Sequence, residues 1–184
     1  TQAELQIAHR QMEQALATLT HLRTLAPRHG YVLALLMRLY EALHDWEHLR
    51  QLLPELRKRK VLDAVAAEAL ELRVHSELLA QHARGRDAAA LRDTWNRVPR
   101  RLAQHPDTVL AYTTQLHRLG EDHEAENLVR AALKKGWDAR LVDLYGRLQA
   151  DIRHQLTTAE AWLREHERDA VLLQALGRLA MRNS

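Results

Sequence analysis

The feature that most constrains this chain is a series of leucine and alanine stripes with helical spacing, broken by a turn about every 30 residues. The clearest segment runs from Tyr31 to Leu43 and carries Leu33, Leu36 and Leu39, and His44-Asp45-Trp46 follows as a turn. Apolar residues three and four positions apart lie on one face of an α-helix. A chain built from such stripes must bury its helices against one another.

Composition favours helices. Phe is absent, and six Gly and four Pro are too few to punctuate an all-β chain of 184 residues. The absence of Cys excludes disulfides and thiolate metal sites. The sequence contains no apolar stretch of about 18 residues, which a membrane-spanning helix requires. We therefore expect an all-α protein.

Helices paired across the turns predict a TPR-like (tetratricopeptide-like) α-solenoid, in which antiparallel helix pairs of about 34 residues stack into a right-handed superhelix. An irregular helical bundle is the competing architecture, and the spacing of the turns favours the solenoid. We expect one domain over residues 1–184 with about five helix-pair repeats. The predicted repeats are 1–29 (an incomplete first repeat), 30–62, 63–105, 106–136, 137–169 and 170–184 (an unpaired last helix).

The two ends of the sequence indicate a fragment of a longer chain. Residues 2–8 have the pattern of the last part of a first helix, and residues 15–26 form its partner, which Pro27 ends. Residues 171–181 predict a first helix with no second helix after it, so its apolar stripe would lack a cover. The chain also starts at Thr1 rather than at Met.

Several residues predict where the inner helices begin and end. Asp63 is placed as the N-cap of a long helix that ends near Ala83, and Gly136 is placed as the residue that terminates a later helix. Pro54 lies inside a helical pattern and should bend that helix or shift its start. The other predicted breaks are Pro99, which should kink or end its helix, and Pro106, which should close its repeat.

The sequence contains none of the motifs that indicate catalysis or a bound nucleotide. There is no phosphate-binding loop, dinucleotide fingerprint, nucleophile elbow or zinc-protease motif, so we expect no enzyme activity. The nearest metal motif is His44-x-x-x-His48, but His44 falls in a predicted turn, and we predict no metal site. A single axial His needs no motif, so the 12 His leave haem binding open while no cofactor is predicted. The net charge of +3 is dispersed apart from residues 57–60 and does not indicate nucleic-acid binding.

The inner surface of the solenoid is the best candidate for a binding site, because the first helices of the repeats line it. Five of the nine side chains that should face it are Arg, which recognises carboxylates and phosphates through paired hydrogen bonds. These residues predict a groove for an acidic ligand or peptide, although helical proteins also expose Arg without any such role. The nine residues are Tyr31, Arg38, Arg73, Thr114, His117, Trp137, Arg140, Arg147 and Arg178.

Four segments carry a resemblance to the HemY family, TPR-like proteins associated with protohaem IX synthesis in proteobacteria. They include the pieces RLY-x-x-L-x-DW, LLP-x-LRK, KKGWD-x-x-LV-x-LYGRL and LGRL-x-x-RN in the family's order. His44 departs from the family pattern where a turn Gly is usual, and Glu167 departs where a helix-ending Pro is common. The segments are Val32 to Leu62, Trp95 to Asp107, Gly120 to Leu148 and Leu156 to Asn183.

This resemblance implies a non-catalytic scaffold for protein partners in haem biosynthesis, among them enzymes of that pathway. Direct haem or porphyrin binding through the Arg- and His-lined groove is the alternative, and a generic peptide-binding TPR module is a further one. The resemblance also implies that the chain is the soluble region of a bacterial inner-membrane protein, on the cytoplasmic face. Its contact with the membrane would then come only from an N-terminal anchor outside this sequence.

Overall fold

The protein is all-helical in the computed structural model, which describes residues 11–26 and 29–183. The predicted helix over residues 2–8 and the predicted stop at Pro27 lie outside these residues. The described part contains eleven α-helices and no strand. They are α1 Met12–Leu25, α2 Gly30–Ala42, α3 Trp46–Lys58, α4 Ala64–Ala83, α5 Ala88–Asn96, α6 Arg100–Ala103, α7 Pro106–Arg118, α8 Asp122–Leu133, α9 Ala139–Tyr145, α10 Ile152–Leu163 and α11 Ala170–Asn183.

Aspartate N-caps set the start of six helices. The predicted cap is confirmed at Asp63, where Oδ1 accepts a hydrogen bond from the backbone N–H of Ala66 at 2.7 Å. Such a carboxylate satisfies backbone donors that the first helical turn leaves unpaired, and each cap stabilises by about 0.5–2 kcal/mol. The six capping residues are Asp45, Asp63, Asp87, Asp138, Asp151 and Asp169.

The prolines act differently from one another. Helix α3 begins at Trp46 and runs through Pro54, so the proline does not shift the start of that helix. Helix α5 ends before Pro99, which caps the short α6, and the predicted break there is confirmed. Pro106 was expected to close a repeat, but it is the first residue of α7, where a missing backbone N–H costs no hydrogen bond.

The predicted terminator Gly136 lies two residues beyond Lys134, the C-cap of α8. The glycine that the backbone requires is Gly120, which follows α7 with a φ of +80°. His44 takes the same left-handed region with a φ of 53°, at the position where the sequence departs from a turn glycine. Residues other than glycine pay a conformational cost in that region.

Contacts within the chain group it into two compact units, Thr1–Leu78 and Leu79–Ser184, with the boundary inside α4. In the N-terminal unit, α2 packs between α1 and α3. Because α2 has a neighbouring helix on two sides, apolar residues on more than one of its faces are buried. Its buried residues are Val32, Leu33, Leu35, Leu36, Leu39 and Tyr40.

In the C-terminal unit, α7 pairs with α8 and α10 pairs with α11. Helix α9 contacts α7, α8 and α11, so it lies at the centre of this unit. The approach of α9 to α11 is close enough to need a glycine. A Cβ added to Gly146 would lie 2.7 Å from both Cα and Cβ of Ala175.

A buried glutamine supports the end of α9. The side chain of Gln155 is fully buried and donates hydrogen bonds to the carbonyl oxygens of Tyr145 (3.1 Å) and Leu148 (3.2 Å). Its Oε1 accepts from the N–H of Ala150 at 3.2 Å. Gln155 therefore satisfies the backbone groups that α9 leaves unpaired where the chain turns into α10.

Polar side chains in both units bond to residues 32 positions away in the chain. The N-terminal unit has the pairs Arg23–Glu55 (3.2 Å) and Arg73–Glu41 (3.1 Å). The C-terminal unit has Arg92–Glu124 (2.8 Å) and Trp137–Asp169 (2.7 Å). In both units, therefore, side chains 32 residues apart in the sequence come into contact.

Candidate functional site

A depression of about 670 Å³ lies on the C-terminal unit between α7, α9 and the start of α11. Four of the nine predicted groove residues line it, namely Thr114, His117, Arg140 and Arg147. Leu110, Leu144 and Val171 supply apolar lining. We refer to this surface as the α7–α9 depression.

His117 is held in one orientation by a buried carboxylate. Its Nδ1 lies 2.7 Å from Oδ1 of Asp122, whose side chain is only 8 % exposed. The other oxygen of Asp122 accepts a hydrogen bond from the backbone N–H of Gln149 at 2.6 Å. Because a carboxylate oxygen can only accept, Nδ1 of His117 carries the hydrogen of this bond, and Nε2 is the ring nitrogen that Asp122 does not contact. A carboxylate bonded to one ring nitrogen commonly fixes the orientation of a histidine that binds a metal through the other nitrogen.

Arg140 is neutralised by two carboxylates. Its guanidinium lies 2.7 Å from Oδ1 of Asp107 and 2.8 Å from Oδ2 of Asp138. The hydrogen bond from Arg140 lowers the pKa of Asp138, and the same bond raises the pKa of Arg140. Arg140 is thus engaged within the protein.

Arg147 and Arg178 share a carboxylate. Asp143 accepts from Arg147 at 2.6 Å through Oδ2 and from Arg178 at 2.7 Å through Oδ1. Arg178 does not line the depression but reaches its wall through Asp143. Arg140, Arg147 and Arg178, which the sequence offers for an acidic ligand, are therefore ion-paired, and the surface carries both signs of charge.

Trp137 lies away from the depression, in an aromatic cluster. Its ring stacks on His166 with the ring centres 3.6 Å apart and meets Trp162 edge-on at 5.7 Å. Its Nε1 donates to Oδ2 of Asp169 at 2.7 Å, and this bond lowers the pKa of Asp169. These contacts join the turn before α9 to the start of α11.

The remaining predicted groove residues belong to the N-terminal unit. Tyr31 is 46 % exposed and meets His29 edge-on at 6.5 Å, and Arg38 is exposed. Arg73 pairs with Glu41 at 3.1 Å and lies 5.4 Å from the centre of the Trp46 ring. It lines a shallow depression of about 320 Å³ whose other members include Met37 and Leu62.

Residues 11–26 and 29–183 contain no group of three or more His, Asp or Glu positioned to hold a metal ion. In the motif His44-x-x-x-His48, His44 lies edge-on to Trp46, whereas Nδ1 of His48 lies 2.7 Å from Oδ2 of Asp45. The two imidazoles thus have different partners. None of the described helices combines the length and the hydropathy needed to cross a membrane.

The carboxylates that pair with the arginines were not among the predicted site residues. The spacing of Asp143 and Arg147, four apart on a helix, is a signal that sequence reasoning could have used. Asp107 gave no comparable signal, because it meets Arg140 only through the tertiary fold. Asp122, which pairs with His117 rather than with an arginine, was also not among the predicted site residues.

Comparison with known proteins gives a similarity to protein HemY. The HemY proteins of Escherichia coli strain K12, Escherichia coli O157:H7 and Shigella flexneri are each 25 % identical to this chain over 156 residues. That alignment covers 85 % of the chain and 39 % of each relative. The chain thus spans about two fifths of the length of the curated relatives it matches.

No protein-family model matches the chain. No solved structure matches it either. The 25 % identity over 85 % of the chain supports the resemblance drawn from the motifs as a distant relationship to HemY.

Proposed function

We propose that this chain is a non-catalytic scaffold that binds protein partners in haem biosynthesis. The observation that carries the proposal is the similarity to HemY over 85 % of the chain. In this proposal the scaffold acts at the cytoplasmic face of the bacterial inner membrane, as the resemblance implies.

The proposed architecture is a TPR-like solenoid. Two features support it. Polar pairs such as Trp137–Asp169 and Arg92–Glu124 recur at a separation of 32 residues, close to the length of a TPR repeat. Within the C-terminal unit, α9 contacts both α7 and α11, as the first helices of successive stacked repeats do.

The α7–α9 depression is the proposed partner surface. It combines apolar side chains, such as Leu110 and Val171, with a rim of paired charges, and protein interfaces commonly combine an apolar centre with a polar rim. In the ion pairs Arg140–Asp107 and Arg147–Asp143, the arginine offers hydrogen-bond donors to a partner and the aspartate offers acceptors. We therefore expect a partner surface that carries both signs of charge.

A pull-down with purified enzymes tests the scaffold role. The tagged chain is mixed with ferrochelatase and, separately, with protoporphyrinogen oxidase, and an unrelated TPR protein serves as the control bait. We expect enrichment of at least one enzyme over the control. Equal recovery on both baits would count against the proposal.

Direct haem or porphyrin binding is the second candidate, and the geometry of His117 favours it. Asp122 holds Nδ1 at 2.7 Å, which leaves Nε2 available as a ligand to iron. The depression that His117 lines has a volume of about 670 Å³, within the range of about 300–1,000 Å³ typical of small-molecule sites. Leu110 and Leu144 give it apolar walls, so the residues fit such a group. A bound haem would supply an iron centre that accepts the histidine nitrogen.

A Soret titration decides this second candidate. We expect a saturable shift at low micromolar haem that is lost in His117→Ala and kept in His123→Ala, an exposed histidine on α8. No saturable shift, or equal loss in the two variants, would reject it. A generic peptide-binding module unrelated to haem is the remaining alternative, and a peptide array would reveal it by a sequence preference without enzyme or haem binding.

A further inference from the structure

A second depression, of about 530 Å³, lies on the C-terminal unit at the turn between α7 and α8. Arg86, His117, Arg118, Gly120 and Gln149 are among the residues that line it. It shares His117 and Arg118 with the α7–α9 depression. We refer to it as the turn depression.

The arginines of the turn depression differ from Arg140 and Arg147 in their partners. Arg118 is exposed, and its Nη1 donates to the amide oxygen Oε1 of Gln115 at 3.2 Å. Arg86 is also exposed, and it lies in the turn between α4 and α5, where its φ is 53°. Neither arginine has a carboxylate within ion-pair distance in the described part of the chain.

The acidic groups around the turn depression are already engaged. Asp122 uses one oxygen for His117 and the other for the N–H of Gln149, and it is buried. Glu121, the next residue toward the N-terminus, is paired with Arg92 at 2.8 Å. Two guanidinium groups therefore face a polar depression in which the local carboxylates have other partners.

We infer that the turn depression binds an anionic group, the carboxylate or phosphate of a small ligand, through Arg86 and Arg118. Guanidinium groups recognise both anions through charge-assisted hydrogen bonds. The side chain of Gln149 lies on the same surface and offers further amide donors. This site goes beyond the scaffold role and does not rest on it.

An NMR titration with two defined probes tests the site. Backbone amide shifts are followed while sodium phosphate or sodium glutarate is added at constant pH and constant ionic strength. The two probes separate a preference for phosphate from a preference for carboxylate. We expect saturable shifts that include the amides of Arg118, Gly120 and Gln149 with at least one probe.

Two matched double variants assign the binding to the unpaired arginines. Arg86→Gln with Arg118→Gln should weaken binding by about tenfold or more, because it removes both charge-assisted contacts. Arg140→Gln with Arg147→Gln removes the same charge from ion-paired positions and should change the affinity by less than about twofold. Thermal unfolding monitored by circular dichroism confirms that each variant is folded.

Two results would overturn the inference. One is the absence of a saturable shift with both probes up to tens of millimolar. The other is an equal loss of affinity in the two double variants, which would show a non-specific response to net charge. The outcome does not depend on whether ferrochelatase or protoporphyrinogen oxidase is recovered in the pull-down, so this site and the scaffold role are tested separately.

Discussion

Oδ1 of Asp143 lies 2.7 Å from Nη1 of Arg178, and this ion pair joins α9 to α11 across 35 residues of chain. The other oxygen of Asp143 pairs with Arg147 at 2.6 Å. One carboxylate thus holds two arginines that the sequence offered for an acidic ligand. The identity of the charged groups could be read from the sequence, but their engagement depends on which helices pack together.

Releasing these two arginines should create an anion site. We expect Asp143→Asn to give saturable phosphate-induced shifts of amides in α9, because Arg147 and Arg178 lose their shared carboxylate. Stability should fall by no more than about 1 kcal/mol, since both ion pairs lie at the surface and are partly exposed. Asp93→Asn is the control, because it makes the same charge change at an exposed position. Identical phosphate titrations of the two variants would contradict the prediction.

The close approach of α9 and α11 predicts a sharp difference between two glycines. Gly146→Ala should destabilise the protein by about 1–3 kcal/mol, because its Cβ would lie 2.7 Å from Ala175. Gly177→Ala, on the exposed face of α11, meets no atom within 4 Å and should stabilise by about 0.5–1 kcal/mol. Urea unfolding measures both. Equal effects of the two substitutions would show that α9 and α11 are further apart than described.

Gln155 should tolerate no apolar replacement. In Gln155→Leu, the carbonyl oxygens of Tyr145 and Leu148 and the N–H of Ala150 lose their partner in a buried place. We expect a loss of about 2–4 kcal/mol in the free energy of unfolding. Gln174→Leu on the exposed face of α11 should change it by less than about 0.5 kcal/mol. A cost below about 1 kcal/mol for Gln155→Leu would contradict the buried network.

The bond between Trp137 and Asp169 predicts a pH-dependent stability. This bond is the largest cause of the lowered pKa of Asp169. A carboxyl group with a folded pKa below its unfolded value of about 3.9 stabilises the fold above that pH, and the contribution is lost as the pH falls through the folded pKa. Trp137→Phe should therefore cost about 0.5–1.5 kcal/mol at pH 7.

The difference in the free energy of unfolding between wild type and Trp137→Phe should shrink as the pH falls below about 4. In that range Asp169 becomes protonated in the unfolded chain before it does in the folded protein. Urea unfolding at a series of pH values measures it. Trp162→Phe is the matched control, because Trp162 lies in the same aromatic cluster and contacts Trp137 through its ring. A Trp137→Phe penalty that stays constant from pH 7 to pH 3 would contradict the role assigned to the hydrogen bond.

Helical periodicity and aspartate caps could be read from the sequence because both are local properties. The run around Leu33 and Leu36 marked a helix, and Asp63 marked a helix start, and the structure agrees with both. Gly120 and Gly136 both follow helices, and local sequence did not distinguish them. Only Gly120 has the left-handed backbone that favours glycine, because it directly follows Leu119, the C-cap of α7, whereas Gly136 lies two residues beyond the C-cap of α8.

The candidate site could be predicted only in part, because its chemistry depends on contacts between distant residues. The repeat offset brought Thr114, His117, Arg140 and Arg147 to one depression. It could not show that Trp137 turns toward Asp169 and His166, since those contacts form 29 or more residues away in the chain. It also could not show which arginines meet a carboxylate.

The most direct test of the central claim is a binding measurement on purified components. Ferrochelatase and protoporphyrinogen oxidase are titrated separately against the immobilised chain by biolayer interferometry. Two variants accompany the wild type. Thr114→Arg places a bulky side chain in the α7–α9 depression, whereas Thr157→Arg makes the same change at an exposed position of α10.

The account predicts saturable binding of at least one enzyme, weakened about tenfold or more by Thr114→Arg and unchanged by Thr157→Arg. No saturable binding of either enzyme would contradict the scaffold role. Equal binding by the two variants would contradict the assignment of that role to the α7–α9 depression.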